Sequence, residues 1–520
     1  MSATSPEIEP AAVAEEVNAP AEITPPTEEA ASPTFMTRDV DQGSEATPPT
    51  EEPPLAKPLK KSTRLKPQAY YDMIVVGAGL AGLMAGVLSA RQGLRALVLA
   101  RGIGGTHVGN GTVDVWGYDT QRQVLTNPQT ILKGPRQKGL EKYYREHPLA
   151  RAGEAALQNG VSELQAVCTA AGYPLLGELT ANFILPTALG APRPTCLAPR
   201  SFVAGDLRRT DEITLARFAH FRDWFADLAA ANLRTAGYTV RVVDLPLPNA
   251  PTHRDAFSTD LARLFDRADY RAQVAEAWRE GVIGATRLGV PAILGLEHAA
   301  EAHHDLEARL GIEIFEIPTL PPSVPGMRLF NVLRSTLEQA GGRLVLGPSL
   351  SAWIEEGQAL GVTVETANGE RHYAADFIIL ASGGARHGGL ESPAAGRMTE
   401  TVFNLPLETS GDWFAPLYWS AHPLAYFGAR VNARMQPIDA QDQILYPNVL
   451  AVGGVLAGAD RLTEGSREGI DLATAWKAVA QLPVPVVEEK PVSKFYEYEE
   501  DDDLREKEQI GAGAVERIET

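Results

Sequence analysis

The sequence predicts an α/β protein built on a doubly wound parallel sheet, with an inserted, more helical second domain and disordered tails. Three observations carry that prediction. A short apolar strand, Asp72–Val76, runs into the glycine turn Gly77-Ala-Gly79-Leu-Ala-Gly82 and then into an apolar helix. The α/β rhythm breaks off near residue 190 and returns near residue 325. Both ends are rich in Pro and Glu and poor in large apolar residues.

The elements follow in order. Leu80–Gln92 reads as a helix stopped by Gly93, and Arg95–Leu99 as a second buried strand. Parallel strands joined by a helix imply a right-handed crossover. The middle is more helical. Leu215–Ala236 carries Phe218, Phe221, Trp224, Phe225 and Leu228 at helical spacing, and Asp260–Glu280 reads the same way. Ile312–Glu316 is a strand, Gly326–Ala340 a helix and Arg343–Leu346 a strand. Trp353–Phe377 alternates between turn signals at Glu356-Gly357 and Asn368-Gly369, the pattern of a β-meander. Phe377–Ala381 and Val449–Val452 are buried strands, and Ile470–Ala480 is the closing helix.

These elements divide the 520 residues into five segments. Residues 1–69 form a Pro/Glu-rich tail containing TPPTEE twice, at Thr24–Glu29 and Thr47–Glu52. Residues 70–190 are the first segment of the nucleotide-binding domain. Residues 191–324 are the inserted cap or substrate domain, residues 325–482 the second binding segment, and residues 483–520 an acidic tail. Residues 1–69 hold 12 acids against 6 bases and residues 486–520 hold 12 against 5, so most of the net charge of −19 sits on the ends. A basic cluster at Lys57–Lys66 reads as a solvated linker. The acidic balance disfavours nucleic-acid binding. No run of about 18 apolar residues predicts a membrane span. The first residues lack the basic and apolar regions of a signal peptide. The two cysteines, Cys168 and Cys196, are too few for a disulfide scaffold or a Cys₄ iron–sulfur site. The expected compartment is the cytosol.

The chemistry concentrates in glycine turns. Gly77 suits the tight turn, Gly79 lets a phosphate approach the backbone, and Gly82 lets helix and strand pack closely. The helix start then offers free N–H groups and partial positive charge to an anion. The fold is therefore read as a Rossmann-like, FAD/NAD(P)-binding flavoprotein fold. One element departs from the pattern. The second strand ends at Ala100, where an acid would hold the adenosine ribose, and Arg101 follows. Three readings stay open: an adenine dinucleotide with fewer contacts, FMN without the adenosine half, or NADP with Arg101 on its 2′-phosphate. The next loop supplies Gly105, Thr106, Asn110, Gly111 and Thr112 as candidate flavin contacts, and His107 as a candidate proton donor or acceptor. Gly383, Gly384, Gly453 and Gly454 follow later strands as candidate returns to the cofactor, with Gly454 where an Asp would touch the ribityl chain. Gly465-Ser-Arg-Glu-Gly469 leads into the last helix, whose N-terminus suits negative charge on a reduced flavin.

Other constellations carry less. Arg193, Arg200, Arg208 and Arg209 form an arginine cluster suited to phosphate or carboxylate, with Arg193 a candidate catalytic residue. His298, His303 and His304 read as a solvated helix face and not a metal site, since their spacing is wrong for zinc. Trp413, Phe414, Tyr418 and Trp419 read as core or partner contacts.

Several longer stretches then carry a resemblance. They are YDMIVVGAGLAGLMAG with GLRALVLARG, GTHVGNGTVDVWG, FILPTALGAPRPT, LPPSVPGMRLFNVLRSTLEQAGG, FIILASGGARHGGL and PNVLAVGGVLAGAD. With them the chain resembles the B subunits of anaerobic glycerol-3-phosphate dehydrogenase over most of residues 70–482, and in neither tail. The opening fingerprint is shared with many flavoproteins. LPPSVPGMRL and the missing acid at Ala100 are the more specific features. The resemblance implies FMN as cofactor, with FAD the alternative. It implies a complex with an FAD-binding catalytic subunit and an iron–sulfur, membrane-anchoring subunit. It implies oxidation of sn-glycerol 3-phosphate to dihydroxyacetone phosphate with electrons passed towards quinone, at the inner face of the membrane. GSREG stands where the family has a more glycine-rich turn. Two other functions remain in view: a stand-alone flavin oxidoreductase of succinate or fumarate type, using Arg193 and Arg200, and a non-catalytic relay or interaction subunit.

Overall fold

The computed structural model describes residues 55, 66–132, 146–249, 255–347, 349–392, 397–409, 413–418, 420 and 422–484. The tails expected at 1–69 and 483–520 lie outside the described residues, apart from Leu55, 66–69 and 483–484.

The main sheet begins with β1 (Ala69–Val76), whose last four residues are buried, and continues through α1 (Leu80–Arg91) to β2 (Ala96–Ala100). The strands pair in parallel, with Met73 opposite Ala96. Every residue of α1 from Leu80 to Ala90 is buried. A helix apolar on all sides is covered on all sides, and small residues bring its backbone close to the sheet. A Cβ on Gly86 would lie 2.7 Å from Val98 Cγ2.

Further along the chain come α2 (Glu154–Ala170) and the hairpin β3 (Phe183–Pro186) and β4 (Pro192–Thr195). A second sheet is formed by β5 (Ile213–Arg217), β6 (Val240–Asp244), β7 (Arg287–Pro291) and β8 (Glu313–Ile317), in the order β8-β7-β5-β6 and all parallel. The main sheet then resumes. It adds β9 (Arg343–Leu346) beside β2, and a meander of β10 (Ser349–Glu355), β11 (Gln358–Thr366) and β12 (Gly369–Leu380) beside β1. The first half of β12 pairs with β11 and its end pairs with β13 (Val449–Ala451), while β1 runs along its other edge.

The helices of the second sheet are α3 (Ala226–Thr235), α4 (Ser258–Phe265), α5 (Ala268–Trp278) and α6 (Ala299–Leu310). Two sequence expectations need correction here. Leu215–Ala236 is not one helix. It begins as strand β5, breaks at His220 with φ 57°, and becomes helical only at Ala226. Phe218, Phe221 and Trp224 lie in the connection and are buried there, so their helical spacing came from loop packing. Phe218 stacks on Trp278 at 5.6 Å, and Trp224 Nε1 donates to the Ala216 carbonyl. Asp260–Glu280 is likewise two helices. Asp266 ends the first, and its Oδ1 accepts from the backbone N–H groups of Leu296, Glu297 and His298.

A buried ion pair joins the two sheets' surroundings. Helix α7 (Val324–Gln339) carries Arg328, which binds Glu316 of β8 through two bonds of 2.6 and 2.9 Å. Glu316 also accepts from Ser201 Oγ and the Leu294 N–H, and Arg328 Nε donates to the Gly295 carbonyl. With its hydrogen bonds filled in this way, a buried pair of charges is tolerated. His303, expected on a solvated face, is buried, with Nε2 2.7 Å from the Ile314 carbonyl. The last helix, α8 (Arg467–Ala480), crosses α2 at Gly160, where a Cβ would lie 2.5 Å from the Leu472 carbonyl oxygen.

Candidate functional site

A cleft opens at the C-terminal ends of β1, β2 and β12, where ligands bind in open α/β sheets. Its floor is the turn after β1. Gly77 has φ +117°, and a Cβ there would lie 2.1 Å from the Ala381 carbonyl oxygen. Only glycine suits both demands. A Cβ on Gly79 would meet nothing within 4 Å, so this residue borders open space at the start of α1. That start has no side-chain cap and no acid in its first turn, leaving its positive end towards the cleft. Gly82 lies behind the turn, where a Cβ would stand 1.9 Å from the Gly77 carbonyl oxygen. Its role is helix packing.

The loop after β2 forms one wall. Gly104, with φ +71°, rides against Gly79, where a Cβ would lie 2.7 Å from the Gly79 nitrogen. Arg101, Gly105, Thr106, Gly111 and Thr112 line the cleft, as do Gly383 and Gly454. Arg101 is exposed and ion-paired with Glu391 at 3.5 Å. The cleft therefore brings together nine of the sixteen residues expected at the site: these seven with Gly77 and Gly79. The others sit nearby or elsewhere. Gly384 packs towards the Gly454 carbonyl. Gly453 is buried and donates its N–H to Thr474 Oγ1. Gly465 packs against Gly117 and Tyr118.

His107 does not line the cleft. Its ring packs edge-on against Phe330, with centroids 4.6 Å apart, and burial pushes its pKa down. Its carbonyl accepts from Ser323 N–H at the start of α7. Arg193 and Asn110 line a smaller side pocket with Thr187 and Thr195, and Thr112 borders both spaces. Arg193 is ion-paired with Asp114. Arg208 and Arg209 are held away from both spaces by Asp206, Asp211 and Glu313.

The far wall is a charged network that spacing alone did not reveal. Arg461, Arg467, Glu468 and Asp471 line the cleft where α8 begins. Arg461 pairs with Asp471 and donates to the Arg467 carbonyl at 2.8 Å. Arg467 Nε donates to Glu468 Oε1 at 2.6 Å, and the Asp114 N–H donates to Glu468 Oε2 at 3.3 Å. Burial pushes Asp114 and Asp471 up, against the opposing pull of Arg193 and Arg461 respectively. Burial also opposes ionisation of Glu468, but Arg467 and Arg193 outweigh it and hold this carboxyl down. His387 adds an imidazole to the lining. Burial lowers its pKa, and Arg461, Arg467 and Arg386 lower it further. The signal for Arg467 and Glu468 was the GSREG start of the last helix. Arg461, Asp471 and His387 had none.

The lining fits a flavin. Thr106 Oγ1, Thr112 Oγ1 and Ser382 Oγ are buried with no hydrogen-bond partner among the described residues, and all three residues border the cleft. Buried hydroxyls without partners are uncommon. The polar edge of an isoalloxazine and its ribityl chain would satisfy them.

Comparison with known proteins agrees. Residues 72–470 match the FAD binding domain family. The B subunit of anaerobic glycerol-3-phosphate dehydrogenase from Pectobacterium atrosepticum is 29% identical over 428 residues, covering 79% of this chain and 98% of that protein. The corresponding probable subunit of Halobacterium salinarum is 30% identical over 426 residues, covering 78% and 96%. That of Yersinia pestis is 27% identical over 424 residues, covering 79% and 98%. The chain is a flavoprotein of the FAD binding domain family and belongs, within it, to the family of B subunits of anaerobic glycerol-3-phosphate dehydrogenases.

Proposed function

We propose that this chain is one subunit of a flavin-dependent dehydrogenase that oxidises sn-glycerol 3-phosphate to dihydroxyacetone phosphate and passes the electrons towards quinone. The observation that carries the reading is the match along 96% to 98% of the relatives' own length. Its partners are an FAD-binding catalytic subunit and an iron–sulfur subunit that attaches the complex to the membrane. Among the described residues no helix is long and apolar enough to cross a membrane; attachment at the inner face is assigned to those partners.

The cofactor is FMN. Ala100 is buried at the end of β2 and offers no carboxylate to a ribose, while Arg101 beside it suits a terminal phosphate. FAD is the second reading, favoured by the family match and by a lining that continues past Ala100 to Leu350 and Val402. When bound, the flavin supplies the acceptor for the hydride from C2 of the substrate. This chain's residues do the rest. The Gly77–Gly79 turn and the start of α1 hold the cofactor phosphate. Arg193, with Asn110 and Thr187 in the side pocket, meets the anionic end of the substrate, and Asp114 orients its guanidinium. His107 braces the 105–112 loop against α7 through Phe330 and Ser323.

The test is purification of the chain co-expressed with its partner subunits. Glycerol 3-phosphate-dependent dye reduction should require the complex, and this chain, once separated from the FAD-binding partner, should release FMN on denaturation, identified by mass spectrometry. FAD release would select the second reading. A complex with no flavin on this chain would overturn both.

A further inference from the structure

His387 lines the flavin cleft without a bond from its ring to the protein. Among the described residues no group hydrogen-bonds to either ring nitrogen, and the residue is exposed to the open cleft. His147, His303, His372 and His422 differ, each bonding a protein group through a ring nitrogen. An imidazole always carries at least one N–H donor, and at His387 that donor is available to a ligand.

The ring is nonetheless held in place. Two cleft glycines make room for it. A Cβ on Gly105 would lie 2.6 Å from His387 Nε2, and a Cβ on Gly383 would lie 2.9 Å from His387 Cβ. The His387 N–H donates to the Gly384 carbonyl at 2.9 Å. Thr401 Oγ1 donates to the Gly388 carbonyl at 3.0 Å and ties the same loop to the cleft wall. A side chain fixed before its ligand arrives loses little entropy on binding.

Gly105 connects this imidazole to the phosphate turn. Its neighbour Gly104 rides against Gly79, where a Cβ would lie 2.7 Å from the Gly79 nitrogen. Consecutive residues of one loop therefore touch the start of α1 and His387 Nε2. The start of α1 has no side-chain cap and offers backbone N–H groups alone. His387 brings a side-chain donor to the same end of the cleft.

The surroundings select an anion. Arg461, Arg467 and Arg386 lower the His387 pKa beyond the effect of burial, so the ring stands in a field of positive charge. Asp471 offsets Arg461 and Glu468 offsets Arg467, while Arg386 has no ion-pair partner among the described residues. A hydrogen bond to an ionised phosphate is of the strong, charge-assisted kind. We propose that His387 donates such a bond to the phosphate ester of the flavin, adding a side-chain donor to the seat that Gly79 and the start of α1 provide from the backbone. The proposal rests on the reading that the cofactor phosphate lies at that turn. It applies to the phosphate of FMN and to the ribityl-side phosphate of FAD alike.

The test titrates the flavin-free full chain with FMN, FAD and riboflavin, the last of which lacks the phosphate. The wild type should prefer a phosphate-bearing flavin. His387→Phe keeps a ring against Gly105 and Gly383 without its nitrogens. It should lose about tenfold or more in affinity for that flavin and leave riboflavin affinity unchanged. His387→Gln keeps an N–H donor and should lose less. The flavin-free melting temperature should be the same in all three proteins. If neither FMN nor FAD binds the wild type more tightly than riboflavin does, the phosphate has no seat at the turn, and the cofactor reading fails with the proposal. If the wild type prefers the phosphate and His387→Phe keeps that preference in full, the proposal alone fails. Loss of the glycerol 3-phosphate-induced change in flavin absorbance in that case would give the imidazole to the substrate's phosphate instead. An equal loss for riboflavin and the phosphate-bearing flavin also overturns the proposal, since the imidazole would then support the loop or the ring system.

Discussion

Arg461 and Asp471 form an ion pair at the edge of the flavin cleft, and the same guanidinium also holds the carbonyl of Arg467 at the start of the last helix. One bond of this pair fixes the arginine and the other fixes the helix end. Arg461 Nε is left buried with no partner among the described residues. Its Nη1 would touch a Cβ on Gly454, across the cleft wall. The pair therefore presents a positive group to the cofactor while a carboxylate behind it limits that charge.

Opposite electrostatic effects follow from the two partners. Arg461→Gln removes positive charge near a flavin that becomes more negative on reduction, so the reduction potential should fall. Asp471→Asn removes the opposing negative charge, so the potential should rise. A tenfold change in the equilibrium constant corresponds to about 30 mV for a two-electron couple, and shifts of that order are expected. Spectroelectrochemical titration of both variants reads the signs. A shift in the same direction from both would assign the pair a structural role alone.

The phosphate turn separates folding from binding. Gly77→Ala forces a side chain onto φ +117° and into the Ala381 carbonyl. It should cost about 1–3 kcal/mol in strain alone, and lower the melting temperature whether or not flavin is present. Gly79→Ala meets nothing within 4 Å. It should leave the melting temperature of the flavin-free protein unchanged and weaken flavin binding, because its methyl occupies the space where the phosphate approaches. Differential scanning fluorimetry and flavin titration together distinguish the two.

This turn was legible in the sequence because its constraints are local. A tight turn, a close approach and a helix start each demand a residue type at a fixed spacing, and Gly77, Gly79 and Gly82 meet them. The meander was legible for the same reason, through alternation between turn signals. Arg461 and Asp471 were not legible, since their pairing depends on how the last helix is docked. His107 and His387 illustrate the limit. Both lie in glycine-dense loops after buried strands, and only the packing turns one ring towards Phe330 and the other into the cleft. Phe218, Phe221 and Trp224 mimicked a helix because a buried loop can repeat apolar residues at any spacing the core accepts.

The Arg328–Glu316 pair holds α7 to the second sheet, and its loss should be unequal for single and double changes. Arg328→Met leaves Glu316 buried with its charge uncompensated, at a cost of about 3–5 kcal/mol. Arg328→Met/Glu316→Leu removes both charges and should recover much of that loss. Urea denaturation of the wild type, the single and the double variant measures it. A double variant as unstable as the single would mean that Ser201, Leu294 and Gly295 matter more than the ion pair.

Glu468 and Asp471 lie three positions apart on one helix, yet their contributions to stability should run in opposite directions with pH. Burial raises the Asp471 pKa, so the folded chain binds that proton more tightly than the unfolded chain does. Relative to Asp471→Asn, the wild type should lose stability as pH rises from the ordinary carboxylate value through the raised folded value. Glu468 is buried too, but Arg467 and Arg193 hold its pKa down, so the folded chain binds that proton less tightly. Relative to Glu468→Gln, the wild type should hold its full advantage above the ordinary carboxylate value and lose it as pH falls through the lowered one. Unfolding free energies of the three proteins across the acid range give two difference curves. Slopes of opposite sign are expected, because the arginines outweigh burial at one carboxyl and not at the other. Parallel slopes would mean that the two acids titrate as a single unit with Arg467.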